Sequence, residues 1–192
     1  MTTEEFESKL EGGAETQNLD IKAACDWNVR SMAKDILAMS NVQDGGYIII
    51  GVEDGTFARQ GINAAQRTTY DIDIMRDQMM PFADPRVVFT VDFPHDANAL
   101  EYAVIRISPF ADVPVICARG SEDTREGVIY YRNSTGRVQS AAVSNSYDMR
   151  DIITTATVKM MRRMRASGLI VDDQPDAAAQ ARQRLEAERE NL

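Results

Sequence analysis

The pattern of hydrophobic positions along the chain predicts three helices. Apolar residues recur at helical spacing over 26–40, 69–80 and 146–166, so each segment has one face suited to burial. Asp26 stands where its side chain can cap the first helix. Pro81 follows the second, where a proline ends a helix. The stretches between these helices have a different pattern.

Short apolar and β-branched runs, separated by turns rich in Pro, Gly and Asp, predict strands. The clearest is Tyr47–Val52, a wholly apolar run that follows the paired glycines Gly45 and Gly46. Paired glycines tolerate the positive φ angles of a tight turn. The other predicted strands are Leu19–Lys22, Arg86–Phe93, Tyr102–Ser108, Val113–Cys117 and Val128–Arg132. We therefore expect an α+β fold, with helices packed on a mixed, largely antiparallel sheet.

Length and composition fit one domain with extensions. The chain has 192 residues, of which 44% are hydrophobic, and this is enough for a single core. We expect a flexible N-terminus over 1–14, a folded domain over 15–166 and an acidic, polar tail over 167–192 that is partly helical or disordered. Because the tail has few residues to bury, it is a candidate docking segment for a protein partner.

Several classes of protein are disfavoured. No apolar run approaches the roughly 20 residues of a membrane-spanning helix, and the first residues are acidic rather than basic and then apolar. Membrane insertion and secretion are therefore not expected. Cys25 and Cys117 form no CxxC pair, which argues against a disulfide framework or a zinc site. We expect a cytoplasmic protein.

The charge pattern leaves room for a local basic surface. A net charge of −9 argues against non-specific coating of nucleic acid, which needs an electropositive face. Basic residues nevertheless concentrate in the last helix and near the last strand. They either contact a phosphate backbone or form a solvated face. The candidate nucleic-acid contacts are Arg132, Arg137, Lys159, Arg162, Arg163 and Arg165.

The last helix also suggests self-association. It carries Met149, Met160, Met161 and Met164, which is more apolar surface than one buried face needs. A homo-oligomer is therefore expected.

Carboxylates gather around two short segments. Glu15, Asp20 and Lys22 lie on and before the first predicted strand, where alternation puts Asp20 and Lys22 on one face. Glu53 and Asp54 follow the apolar strand. Mg²⁺ or Mn²⁺ takes oxygen ligands, and a few carboxylates can hold such an ion against a phosphate. These residues are candidate catalytic groups, with Lys22 stabilising charge in the transition state.

Each of these residues has a simpler interpretation as well. Glu53 and Asp54, next to Gly55, are typical of a turn. Glu15 fits a solvated N-terminal turn, and Lys22 fits an ion pair or a side chain in water.

The order of these motifs resembles the Schlafen AlbA_2-type domain. The resemblance rests on four segments, Glu15–Lys22, Met39–Gly46, Ile49–Gly55 and Val128–Asn133. It extends over about 15–165. It implies a domain that handles nucleic acid and, in the Schlafen branch, metal-dependent cleavage of structured RNA by three carboxylates.

Carried over residue by residue, the resemblance places Glu15 and Asp20 on the two acidic positions of the first motif. It places Lys22 on the lysine that follows, and Glu53 or Asp54 on the third acidic position. The implied metal ligands are Glu15, Asp20 and Glu53, with Mg²⁺ or Mn²⁺ as the cofactor of an active enzyme. Asp20 departs from the family pattern, because that position is usually Glu.

Two hypotheses remain open. The first is a nucleic-acid-binding module, for RNA or DNA, that acts within a larger regulatory or defence assembly. The second is a divalent-metal-dependent endonuclease that uses the three carboxylates. The first is the one we favour.

Overall fold

The structure is a computed structural model that describes residues 1–133 and 138–169. The helices are α1 (Thr3–Leu10), α2 (Val29–Ser40), α3 (Ala64–Thr69), α4 (Ile72–Met79) and α5 (Ser146–Ala166). The strands are β1 (Leu19–Lys22), β2 (Gly46–Ile50), β3 (Ala83–Asp84), β4 (Phe89–Asp92), β5 (Ala103–Ile107), β6 (Ile116–Cys117), β7 (Tyr130–Arg132) and β8 (Ser140–Ala142). A 3-10 turn at Met80–Phe82 follows α4. The predicted α+β class is confirmed.

The central sheet has the strand order β1-β2-β5-β4. β1 runs parallel to β2, with Asp20 opposite Ile48, and the β2–β5 and β5–β4 pairs are antiparallel. Two further pairs, β3–β6 and β7–β8, are also antiparallel. The sheet is therefore mixed and largely antiparallel, as the sequence predicts.

The two faces of the central sheet bury different helices. Because side chains alternate along a strand, Ile48 and Ile50 point to the α2 and α4 side, whereas Ile49 points to the other. On that other side lie Phe6 and Leu10 of α1. The continuous apolar character of β2 follows from this burial on both faces.

The N-terminus differs from the expectation of a flexible segment over 1–14. Residues Thr3–Leu10 form α1, which begins with a capping box between Thr2 and Glu5. Phe6 is fully buried and its ring lies 4.6 Å from that of Tyr102. Phe6 and Leu10 are four residues apart and share one helix face, which holds the segment on the sheet.

The starts of two predicted helices also differ. α2 begins at Val29 with Asn28 as its cap, not Asp26. The helix predicted over 69–80 is α4, which begins later, at Ile72, because the Asp71 side chain caps it by accepting from two backbone N–H groups. The short helix α3 precedes it and lies almost entirely outside the predicted bounds. α5 has the predicted bounds.

The turn between α2 and β2 is held by side-chain hydrogen bonds and a close backbone approach. The Asn41 side-chain amide donates to the carbonyl oxygens of Leu37, Val115 and Tyr130, and its oxygen accepts from the N–H of Val115. Gly45 has a φ of 70°, and a Cβ there would collide with the carbonyl oxygen of Ile107. This turn therefore ties the end of α2 to Tyr130 of β7 and to Val115, which directly precedes β6.

Two predicted features fall outside the described residues. Arg137 is one, and the tail from residue 170 onward is the other. Among the residues that the structure does describe, no helix is both long and apolar enough to cross a bilayer.

Candidate functional site

Arg132 of β7 is the centre of a buried ion-pair cluster. Its side chain is 2% exposed. Nη1 donates to Asp20 Oδ1 at 2.8 Å, Nη2 donates to the Leu19 carbonyl at 2.9 Å, and Nε donates to the Thr16 carbonyl at 3.0 Å. Glu15 Oε2 lies 3.4 Å from Nη2. The prediction that Arg132 contacts nucleic acid is corrected here, because the guanidinium faces the protein interior and fastens β1 to β7.

Lys22 extends this cluster to helix α2. Its Nζ lies 2.7 Å from Asp35 Oδ2 and 3.0 Å from Asp20 Oδ2. Burial lowers the pKa of Lys22, but the carboxylates of Asp35 and Asp20 outweigh that effect, and the net pKa is raised. Lys22 therefore stays protonated and joins two carboxylates.

Asp20 and Glu15 respond to this environment in opposite directions. Burial raises the pKa of Asp20, but Lys22 and Arg132 outweigh it, and the net pKa is lowered. Burial and the neighbouring Asp20 together raise the pKa of Glu15 to about 7. Asp20 is therefore the ionised partner of both cations, and Glu15 titrates near neutral pH.

Glu53 and Asp54 lie in a separate turn after β2. Glu53 Oε2 accepts from Thr56 Oγ1 at 2.6 Å, and the Glu53 carbonyl accepts from Phe57 N. Asp54 is exposed. The structure thus brings Glu15, Asp20 and Lys22 together and uses Glu53 to close a turn.

The predicted metal ligands Glu15, Asp20 and Glu53 do not fit a divalent cation as they are placed. Across residues 1–133 and 138–169, no group of three or more acidic, histidine or cysteine side chains is arranged to hold a metal. The two oxygens of Asp20 already face Arg132 and Lys22. Arg132 and Lys22 thus already supply the positive charge that a metal ion would bring to Asp20.

The basic end of α5 is accessible. Arg162, Arg163 and Arg165 are exposed, and Arg163 pairs with Asp112. Lys159 differs, since its Nζ donates to the Phe110 carbonyl at 2.6 Å. Burial lowers the pKa of Lys159. Three of the predicted nucleic-acid contacts thus stand in solvent at one end of a helix.

The sequence matches the model of a known family. The sequence model described as "Schlafen, AlbA_2" matches residues 15–141. The chain belongs to the Schlafen AlbA_2 family. The match spans Glu15, β1 with Asp20, the glycine turn and β7 with Arg132. The buried cluster therefore lies inside the AlbA_2 region, whereas helix α5 follows it.

A solved structure resembles this AlbA_2 domain in fold. The DIP2311 protein from Corynebacterium diphtheriae aligns with a TM-score of 0.50 at 17% sequence identity. The alignment covers 76% of this chain but 27% of that one, so the chain spans about a quarter of its neighbour's length. A search of curated proteins found no match. The likeness supports the fold.

Asp35 is the member of the cluster that sequence reasoning missed. It is 7% exposed on α2, next to the buried Ile36 and three residues after the buried Met32. A carboxylate inside the apolar face of a helix needs a cationic partner. That anomaly in the helical pattern was the available signal, and Lys22 is the partner.

The pKa of Glu15 predicts a distinctive pH dependence for this AlbA_2 domain. In the folded chain the pKa is raised from 4.5 to about 7, so the folded state holds the proton more tightly than the unfolded one. The stabilisation is complete below pH 4.5 and is lost as the pH rises through 7. We expect the native chain to lose stability relative to Glu15→Gln between pH 5 and pH 8, measured by urea unfolding. Parallel stability curves would contradict this pKa.

Proposed function

We propose that this AlbA_2 domain binds nucleic acid and that the exposed arginines at the end of α5 contact the phosphate backbone. The observation that carries the proposal is the position of Arg162, Arg163 and Arg165, exposed within four residues of one helix on a chain of net charge −9. Guanidinium groups bind phosphate oxygens through charge-assisted hydrogen bonds. Family membership supports the same function.

The setting that we propose is a larger regulatory or defence assembly in the cytoplasm. The family analogy supports the assembly, and the two free cysteines, Cys25 and Cys117, fit a reducing compartment. Segment 167–192 is the proposed contact with a protein partner. The exposed Ile153, Met160 and Met161 on α5 support a homo-oligomer.

Reversing two charges on α5 tests the phosphate contact. We expect Arg162→Glu/Arg163→Glu to weaken binding of labelled RNA and DNA by about tenfold or more, because two attractive charges become repulsive. The slope of log affinity against log salt should also become shallower, by about 0.7 for each single-strand phosphate that is no longer neutralised. Fluorescence anisotropy at several salt concentrations measures both quantities.

The matched control is Arg86→Glu/Arg106→Glu, which makes the same charge change at two exposed arginines outside α5. We expect it to bind within about threefold of the native chain. Equal losses of affinity in the two double variants would assign binding to overall charge and would contradict a contact on α5.

The nuclease hypothesis is tested in the same samples. Labelled RNA and DNA are incubated with Mg²⁺ or Mn²⁺ and separated by size. We expect the strands to stay intact, because Lys22 and Arg132 already neutralise Asp20. Metal-dependent cleavage that is abolished in Asp20→Asn and Glu53→Gln would instead establish the three-carboxylate enzyme.

A further inference from the structure

A groove of about 680 Å³ lies away from the ion-pair cluster. Its walls are the start of α2, the end of α4 with the following 3-10 turn, and the loop over 119–122. This volume is in the range of small-molecule sites, about 300–1,000 Å³. The side chains that matter for its chemistry are Trp27, Arg30, Gln78, Arg119, Ser121 and Glu122.

The indole of Trp27 is held in place along this groove. Its Nε1 donates to Gln78 Oε1 at 2.8 Å, and its backbone N–H donates to Thr69 Oγ1 at 2.9 Å. The ring of Tyr70 makes an edge contact, with ring centroids 6.3 Å apart. Trp27 is nevertheless half-buried rather than enclosed. A fixed, partly exposed indole is a suitable stacking surface, because little side-chain entropy remains to be lost on binding.

The loop that carries Arg119 is also anchored. Ala118 N donates to the Phe82 carbonyl, and Ser121 N donates to the Thr124 carbonyl. Thr124 is 2% exposed, so the loop is tied into the fold while Arg119 stays exposed to solvent. The rigid loop therefore presents a cation at a defined place opposite α2.

The side chains that line the groove carry more positive than negative formal charge. Arg30, in the first turn of α2, and Arg119 are both exposed, and Glu122 offsets one of the two charges. Formal charge along these walls is thus one positive unit, on a chain whose total is −9. Two guanidinium groups beside an indole match the chemistry of a nucleotide, which has an aromatic base and an anionic phosphate.

The geometry points to a binding site for an unpaired nucleotide of a single strand, with the base stacked on Trp27 and the flanking phosphates on Arg30 and Arg119. This inference rests on the proposed function and adds a preference for single strands. A duplex keeps its bases stacked on one another, so it has no free base to offer Trp27. Affinity gained in the groove therefore favours single-stranded over double-stranded nucleic acid.

The intrinsic fluorescence of Trp27 gives a direct test, because it is the only tryptophan of the chain. The full chain is titrated with short oligothymidylate, with oligouridylate and with a DNA duplex of equal length, and anisotropy of labelled strands is followed in parallel. We expect the single strands to quench Trp27 fluorescence with the midpoint seen in anisotropy. The duplex should leave the fluorescence unchanged.

Variants of the groove assign the effect to its residues. Arg30→Glu/Arg119→Glu is expected to weaken single-strand binding by about tenfold, whereas the control Arg86→Glu/Arg106→Glu stays near native. Glu122→Gln is expected to strengthen binding severalfold, which a merely destabilised fold would not do.

Two results overturn the inference and are distinguishable. In the first, single strands bind in anisotropy, but they do not quench Trp27 fluorescence and they bind Arg30→Glu/Arg119→Glu as tightly as the native chain. The groove is then not the site, and the proposed function stands. If no strand binds in anisotropy, the proposed function fails, and the groove assignment fails with it.

Discussion

Arg132→Met is expected to lower the free energy of unfolding by about 3–5 kcal/mol, the usual cost of removing one partner of a buried ion pair. Methionine retains much of the side-chain length but leaves Asp20 with Lys22 as its remaining cation. The carbonyl oxygens of Thr16 and Leu19 also lose their donor. Urea unfolding followed by circular dichroism measures the change.

The control for this prediction is Arg106→Met, at an exposed arginine on β5. We expect that change to stay within about 0.5 kcal/mol of the native chain. Combining Arg132→Met with Asp20→Leu should cost less than the sum of the two single changes, because the buried carboxylate is removed together with its partner. A loss of stability below about 1 kcal/mol in Arg132→Met alone would show that the cluster does not stabilise the fold.

Asn41→Leu is expected to destabilise the chain by about 3 kcal/mol or more. Leucine is close in volume but cannot hydrogen-bond, so the N–H and the carbonyl of Val115 and the carbonyl of Tyr130 lose their amide partner. Each buried polar group left unsatisfied costs about 1–3 kcal/mol. The same unfolding measurement tests this.

The control is Gln43→Leu, an exposed polar residue in the same turn. It should change stability by no more than about 0.5 kcal/mol. Similar stabilities for Asn41→Leu and Gln43→Leu would contradict the view that the Asn41 amide ties the turn to β6 and β7.

How much of the fold the sequence predicts depends on how local the signal is. The run Tyr47–Val52 is apolar at every position, which predicts a buried strand. The helix over 146–166 is predicted because apolar residues recur at helical spacing along its whole length. Helix α1 was missed, because its apolar stripe is limited to Phe6 and Leu10 in an acidic segment. Its stability comes from tertiary burial rather than from local propensity.

Helix starts show the same limit. Asp26 and Asn28 are both good caps and lie two residues apart, so the local pattern does not choose between them. In the structure Asn28 is the cap, and the preceding residue, Trp27, donates its backbone N–H to Thr69 Oγ1 outside the helix. A residue 42 positions away is not visible to a local pattern.

Part of the candidate site is predictable from the local sequence, and part of it is not. Strand alternation was enough to predict that Asp20 and Lys22 share a face. The burial of Arg132 was not predictable, because its partner Asp20 is 112 residues away in the sequence. A basic residue in a late strand is typical both of a phosphate contact and of a buried ion pair, and only the packing of β7 against β1 decides between them.

In this chain four charged residues of the family motifs form ion pairs within the fold. Glu15, Asp20, Lys22 and Arg132 belong to the family-matched region and are engaged with one another. We therefore propose that recognition of nucleic acid, if this chain carries it out as its family membership suggests, uses exposed cations outside the cluster. The arginines of α5 are the proposed contact with the backbone, and the groove beside Trp27 is the inferred contact with an unpaired base.

The affinity of the native chain for nucleic acid tests the central claim most directly. Labelled single-stranded RNA, single-stranded DNA and duplex DNA are titrated with the full chain at low and at physiological salt, with anisotropy as the readout. We predict binding at low salt that weakens steeply as salt rises, because phosphate contacts release counterions. No binding at low salt, or an affinity that salt does not change, would contradict the account.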